Sequence, residues 1–117
     1  MNIEIQKQTL LAQVDTLKAR IESNQEIVSE KRESTSEDDI ASLYEMQAKA
    51  HAAIKIDKRA LAETRAALTR IESGEYEFCE SCDEDINPKR LEANPVAKLC
   101  IDCANIADIK KRQFANQ

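Results

Sequence analysis

The 117-residue sequence has a single glycine, two prolines, no tryptophan and only 3% aromatic residues. So few chain breakers leave little room for the many turns of an all-β domain, and so few aromatics argue against a thick globular core. Nowhere do about 18 apolar residues run together, so there is no candidate membrane span. The opening stretch MNIEIQKQTLLAQVD holds no apolar segment of signal-peptide length. What is abundant is charge, one third of the chain, set among Ala, Leu and Ile. That is the composition of long helices and coiled coils. The net charge is −5, a disadvantage for phosphate-neutralising contacts with nucleic acid, so a protein partner is the first expectation. A cytoplasmic setting, where thiols stay reduced, is expected as well.

Apolar residues recur at alternating three- and four-residue steps. One stripe runs Ile3, Leu10, Val14, Leu17, Ile21 and Val28, interrupted by Lys7 and Asn24. A second runs Ile40, Leu43, Gln47, Ala50, Ile54, Asp57, Leu61, Thr64, Leu68 and Ile71. Both follow the 3.5-residue repeat of a coiled-coil seam, and neither contains glycine or proline. The link between them, KRESTSEDD, is short and polar, so the two helices should fold back antiparallel. Helices of about 33 residues would each extend roughly 50 Å. The second should stop at Ser73 and Gly74, because glycine is the usual residue just past a helix end. This predicts a mostly α fold: a long antiparallel helical hairpin over 1–74 with its tip near 33–40, then a cysteine module and a short final helix of about 101–113 within 75–117.

The four cysteines fall as Cys79-x2-Cys82, seventeen residues, then Cys100-x2-Cys103. Two intervening residues let a tight turn aim both sulfurs at one ion, and two such pairs complete a tetrahedron. A redox pair of the thioredoxin kind needs one such motif inside a βαβ pattern, and no such pattern is present. One structural zinc is therefore expected on Cys79, Cys82, Cys100 and Cys103. Four protein ligands leave no position for water, so the ion builds the module rather than performing catalysis. Four thiolates less one dication lower the net charge by two, to about −7.

Around these cysteines the residues become specific. The segments Cys79-Glu-Ser-Cys82, Arg90-Leu91-Glu92-Ala93 with Pro95, and Leu99-Cys100-Ile101-Asp102-Cys103 closely resemble the zinc finger of the DksA/TraR family. The approach Leu68-x2-Ile71-Glu72-x-Gly74-x-Tyr76 is similar too. The resemblance implies a non-enzymatic transcription regulator that binds bacterial RNA polymerase, not DNA, and inserts its hairpin into the secondary channel with an acidic tip near the active site. DksA-like tips carry Asp-x-x-Asp-x-Ala. Here the matching window is Ser36-Glu37-Asp38-Asp39-Ile40-Ala41, so Asp39 and Ala41 match, Ser36 replaces the first aspartate, and Asp38 is a substitute on another side of the turn. Ser36 and Asp39 also form a capping-box-like helix start, and the two roles are compatible. At the places where the family uses basic residues for the alarmone ppGpp, this chain has Glu63, Asn94 and Ala104, so action without ppGpp is expected. The sequence shows no N-terminal extension of the kind that longer members place against their finger, which implies a different seat on polymerase.

Lys89 and Arg90, between the cysteine pairs, are candidates for docking to polymerase, although the run Glu80, Asp83, Glu84, Asp85 offers local partners. Lys110, Lys111 and Arg112 suit a helix C-terminus as well as an acidic surface. His51, the only histidine, is expected on an exposed face of the hairpin, and Met46 and Ile56 lie off the main stripe. The expected state is a monomer. The rivals are a zinc-stabilised DNA-binding protein, which would want a final helix more basic than one carrying Asp102 and Asp108, and an adaptor with a different partner.

Overall fold

The computed structural model describes residues 1–31 and 36–115. Part of the expected tip, residues 33–35, lies outside the described residues. Four helices follow in order: α1 (Ile3–Ser29), α2 (Glu37–Ser73), α3 (Pro88–Ala93) and α4 (Ile101–Ala115). Among the described residues there is no strand, only an isolated antiparallel bridge between Phe78 and Asp85. The chain is mostly α, a helical hairpin followed by a four-cysteine finger and a final helix, as its periodicity predicts. It divides into two compact units, one of residues 1–11 with 64–117 and one of residues 12–63.

Local chemistry sets the helix ends. The Asn2 side-chain oxygen accepts from the backbone N–H groups of Glu4 at 2.9 Å and Ile5 at 3.3 Å, which caps α1. Three acids, Glu37, Asp38 and Asp39, occupy the first turn of α2, where the helix dipole favours negative charge. At the other end of α2, Gly74 has φ 77 and its N–H donates to the Ile71 carbonyl at 3.2 Å, while Glu75 N–H reaches back to the Arg70 carbonyl at 2.9 Å. This pair of bonds is a Schellman ending, and it needs the left-handed backbone that glycine takes without a steric penalty.

In the 12–63 unit, Leu17, Ile21 and Ala50 are buried along the seam. The polar seam positions have specific partners. Gln47 donates its side-chain N–H to the carbonyls of Val28 and Glu30, both at 3.1 Å, and so satisfies the open C-terminal end of α1. Asp57 is buried and receives the Arg20 guanidinium at 3.2 Å. The Arg20–Asp57 and Val28–Gln47 contacts run in opposite chain directions, as an antiparallel pair requires. The seam fades at its ends: Ile3 and Ile40, both expected inside, are 37% and 39% exposed. Gln6, one turn before Leu10, is buried in place of Ile3.

The unit of residues 1–11 and 64–117 holds the main core. Leu10, Ala67, Tyr76, Cys79, Ile86, Leu91 and Ala97 are buried together, with Leu68, Ile71, Val96 and Leu99 packed against them. Burying a Leu- or Ile-sized side chain contributes about 1.5–3 kcal/mol, so this cluster alone is thin for a folded module.

Candidate metal centre

Each cysteine is positioned by its own short piece of backbone. Cys79 sits at the start of a tight turn: its N–H donates to the Glu84 carbonyl at 2.7 Å, Ile86 N–H donates to Glu77 at 2.7 Å, and Asp83 N–H returns to the Cys79 carbonyl at 3.0 Å. Asp83 closes that turn at φ 62, a left-handed conformation aspartate tolerates better than most residues. Cys100 lies just before α4 and Cys103 in its first turn, with Ala104 N–H donating to the Cys100 carbonyl at 2.9 Å. A bond from Glu80 N–H to the Lys98 carbonyl at 2.8 Å ties the two halves together.

The four sulfurs converge. All lie within 4.8 Å of one another, and those of Cys82 and Cys100 are 3.8 Å apart. Sulfurs at about 2.3 Å from a tetrahedral zinc stand about 3.8 Å from each other, so the donor set fits that ion. The electrostatics agree. Burial pushes the Cys79 thiol up, but backbone N–H groups of Cys100, Cys82 and Ser81 outweigh it and bring the group down to about 6. Cys103 moves the opposite way, pushed up to about 12 by its side-chain contacts with Cys100 and Cys82 and by burial. Crowded thiols oppose each other's ionisation, and a dication among them removes that opposition.

Polar braces hold this centre on the helices. Tyr76 is buried and donates its hydroxyl to the Pro95 carbonyl at 2.7 Å. Its pKa is raised by burial, against opposing effects of Gln6 and Arg70, so the hydroxyl remains a donor. The buried Gln6 amide donates to the Leu91 carbonyl at 2.7 Å and to the Tyr76 oxygen at 3.2 Å. Arg70 donates to the carbonyls of Glu75 and Phe78. None of these braces follows from apolar periodicity. Gln6 leaves one trace in the sequence, lying four residues before Leu10 on the same helix face.

The family-like Arg-Leu-Glu-Ala segment is α3. Asn87 caps it by accepting from Lys89 N–H at 3.0 Å, Pro88 opens it, and Leu91 fills the core. Arg90 donates its side-chain Nε to the Leu99 carbonyl at 3.0 Å, bracing the approach to Cys100, whereas Lys89 is exposed. Asp38, Asp39 and Ala41 lie exposed at the start of α2, and His51 is exposed on the same helix.

Residues 74–108 match the family described as prokaryotic dksA/traR C4-type zinc finger. This segment is a zinc finger of the DksA/TraR type. It takes one structural zinc ion, which Cys79, Cys82, Cys100 and Cys103 would hold. Over 59 residues, half of its length, the chain is 36% identical to the RNA polymerase-binding transcription factor DksA of Haemophilus influenzae and 37% identical to that of Escherichia coli K12. These matches span 41% and 39% of the two relatives, so the chain spans about two fifths of their length. The likeness in fold reaches further: the transcription factor DksA2 from Pseudomonas aeruginosa superposes with a TM-score of 0.78 at 28% identity, over 93% of this chain and 84% of that one.

Proposed function

We propose that this chain is a non-enzymatic transcription regulator that binds bacterial RNA polymerase and carries its acidic hairpin tip into the secondary channel. It works as a monomer in the cytoplasm and without ppGpp. The observation that carries this reading is the C4 finger set on two long helices, a fold shared over 93% of the chain with a solved DksA2. The relatives' names supply the partner, RNA polymerase.

Division of labour follows from the parts. The zinc centre and the core around Tyr76 fix the finger to the helices, and α2 presents Asp38 and Asp39 in an exposed first turn. Negative charge brought close to a catalytic metal or a mobile element of the enzyme would act strongly in a site shielded from water, which is how the tip would change transcription. Independence from ppGpp rests on Glu63, Asn94 and Ala104, none of which offers a cation to phosphate. Asp102 and Asp108 on α4 weigh against a DNA-reading helix.

The test is a pull-down of purified bacterial RNA polymerase by zinc-loaded protein, repeated with a known secondary-channel factor as competitor. Binding that is competed away supports the reading, and Asp39→Asn should then weaken the effect in a transcription assay by about tenfold while leaving binding within about twofold, about 1.4 kcal/mol of tip interaction. No binding at confirmed zinc content, or binding untouched by the competitor, would refute it.

A further inference from the structure

Beside the metal centre lies a groove of about 710 Å³. Part of its lining is apolar: Ile101, 61% exposed at the start of α4, and Ala93 at the end of α3. Three carboxylates, Glu84, Asp85 and Asp102, stand on its lining. Among the described residues Arg90 is the only basic one that lines it, and its Nε is committed to the Leu99 carbonyl. Cys82, Cys100 and Cys103 also line the space, which is therefore continuous with the metal centre, and a tetrathiolate zinc unit carries two net negative charges. Ile101 is thus an exposed apolar side chain on the lining of a concave, negatively charged surface.

From this charge and shape we infer that the groove receives an arginine or lysine side chain from a protein partner. The inference rests on the polymerase reading only for the identity of that partner. A long cationic side chain matches both features at once. Its methylene stem covers Ile101 and Ala93, while its charged head reaches the carboxylates. Guanidinium suits the site better than ammonium, since it is more weakly hydrated and meets a carboxylate with two parallel hydrogen bonds. Asn94 on the same lining has a side-chain oxygen that can serve as a further acceptor. Anionic ligands are repelled from the same place.

Two variants test this, the charge reversal Glu84→Lys with Asp85→Lys and the neutral pair Glu84→Gln with Asp85→Asn, each checked for one zinc per chain. The direct probe is a hexa-arginine peptide titrated at low salt into zinc-loaded protein and followed by amide NMR. Expected are shifts confined to Asn87, Asn94, Ile101 and their neighbours, an affinity at least fivefold weaker in the neutral pair, and no comparable shifts with inorganic pyrophosphate. Shifts absent from the groove, equal affinity in the neutral pair, or pyrophosphate binding there would each overturn the inference. In the polymerase pull-down the charge reversal should weaken binding at least tenfold, and unchanged binding would overturn the assignment to that partner. If the wild-type chain fails to bind polymerase, the polymerase reading falls while the peptide titration still decides the groove. Should the reversal lose zinc, the neutral pair decides both measurements.

Discussion

Asp57 shows what a single seam position can cost and what it gives. Its carboxylate is buried and one of its oxygens, Oδ2, has no hydrogen-bond partner among the described residues, while Arg20 meets the other from a largely exposed position. A buried ion pair seldom adds net stability over well-packed apolar groups, but removing one partner leaves an uncompensated charge. Arg20→Met should therefore lower stability by about 1–3 kcal/mol, less than for a fully buried pair because the arginine is more than half exposed to water. Asp57→Leu should hold or raise the melting temperature. Thermal unfolding followed by circular dichroism distinguishes them, and equal losses in both variants would mean that packing at the position matters more than its charge.

At the scale of elements, the junction between α2 and the finger depends on Gly74. A side-chain carbon there would meet nothing within 4 Å, so the whole effect of a substitution is backbone strain at φ +77. Gly74→Ala should destabilise the protein by about 1 kcal/mol, and Gly74→Asn by less, since asparagine visits the left-handed region more easily. Urea unfolding measures this, and a loss above about 3 kcal/mol would show that the turn itself had rearranged. The helical seam adds a related lesson. Gln47 breaks the apolar repeat, yet its amide closes the carbonyl end of α1, so what reads as a weak heptad position is a cap supplied from the neighbouring helix.

For the whole molecule, zinc and the small core around Tyr76, Ile86 and Leu91 share the work of folding the finger. Structural zinc in modules of this kind contributes on the order of 10 kcal/mol, comparable to the gross burial contribution of such a core. Treatment with a strong chelator should release one zinc per chain and collapse the dispersed amide signals of residues 75–103. The helical signal from residues 12–63 should largely survive, because that unit has its own seam in Leu17, Ile21 and Ala50. Zinc retention should also weaken as pH falls, since protons compete for the same thiolates. Native amide positions for Tyr76 and Leu91 after complete zinc removal would show the opposite, a finger held by packing alone.

Much of this protein is written locally. The two long helices, the glycine stop after Ser73, and the paired cysteines follow from periods of three to four residues and from spacings of two, and a chain can satisfy such rules without reference to distant neighbours. The finger's family character is local as well, because its identifying residues crowd around the cysteines. Partnerships across the sequence are not local, and only the tertiary structure decided them. Gln6 reaches Leu91 and Tyr76, Arg90 braces Leu99, and Asp57 pairs with Arg20 through side chains 85, 70, 9 and 37 residues apart in the chain. A polar residue on a stripe looks like an interruption until its partner is known, because hydrogen bonding depends on which atom lies within about 3 Å rather than on which residue comes next.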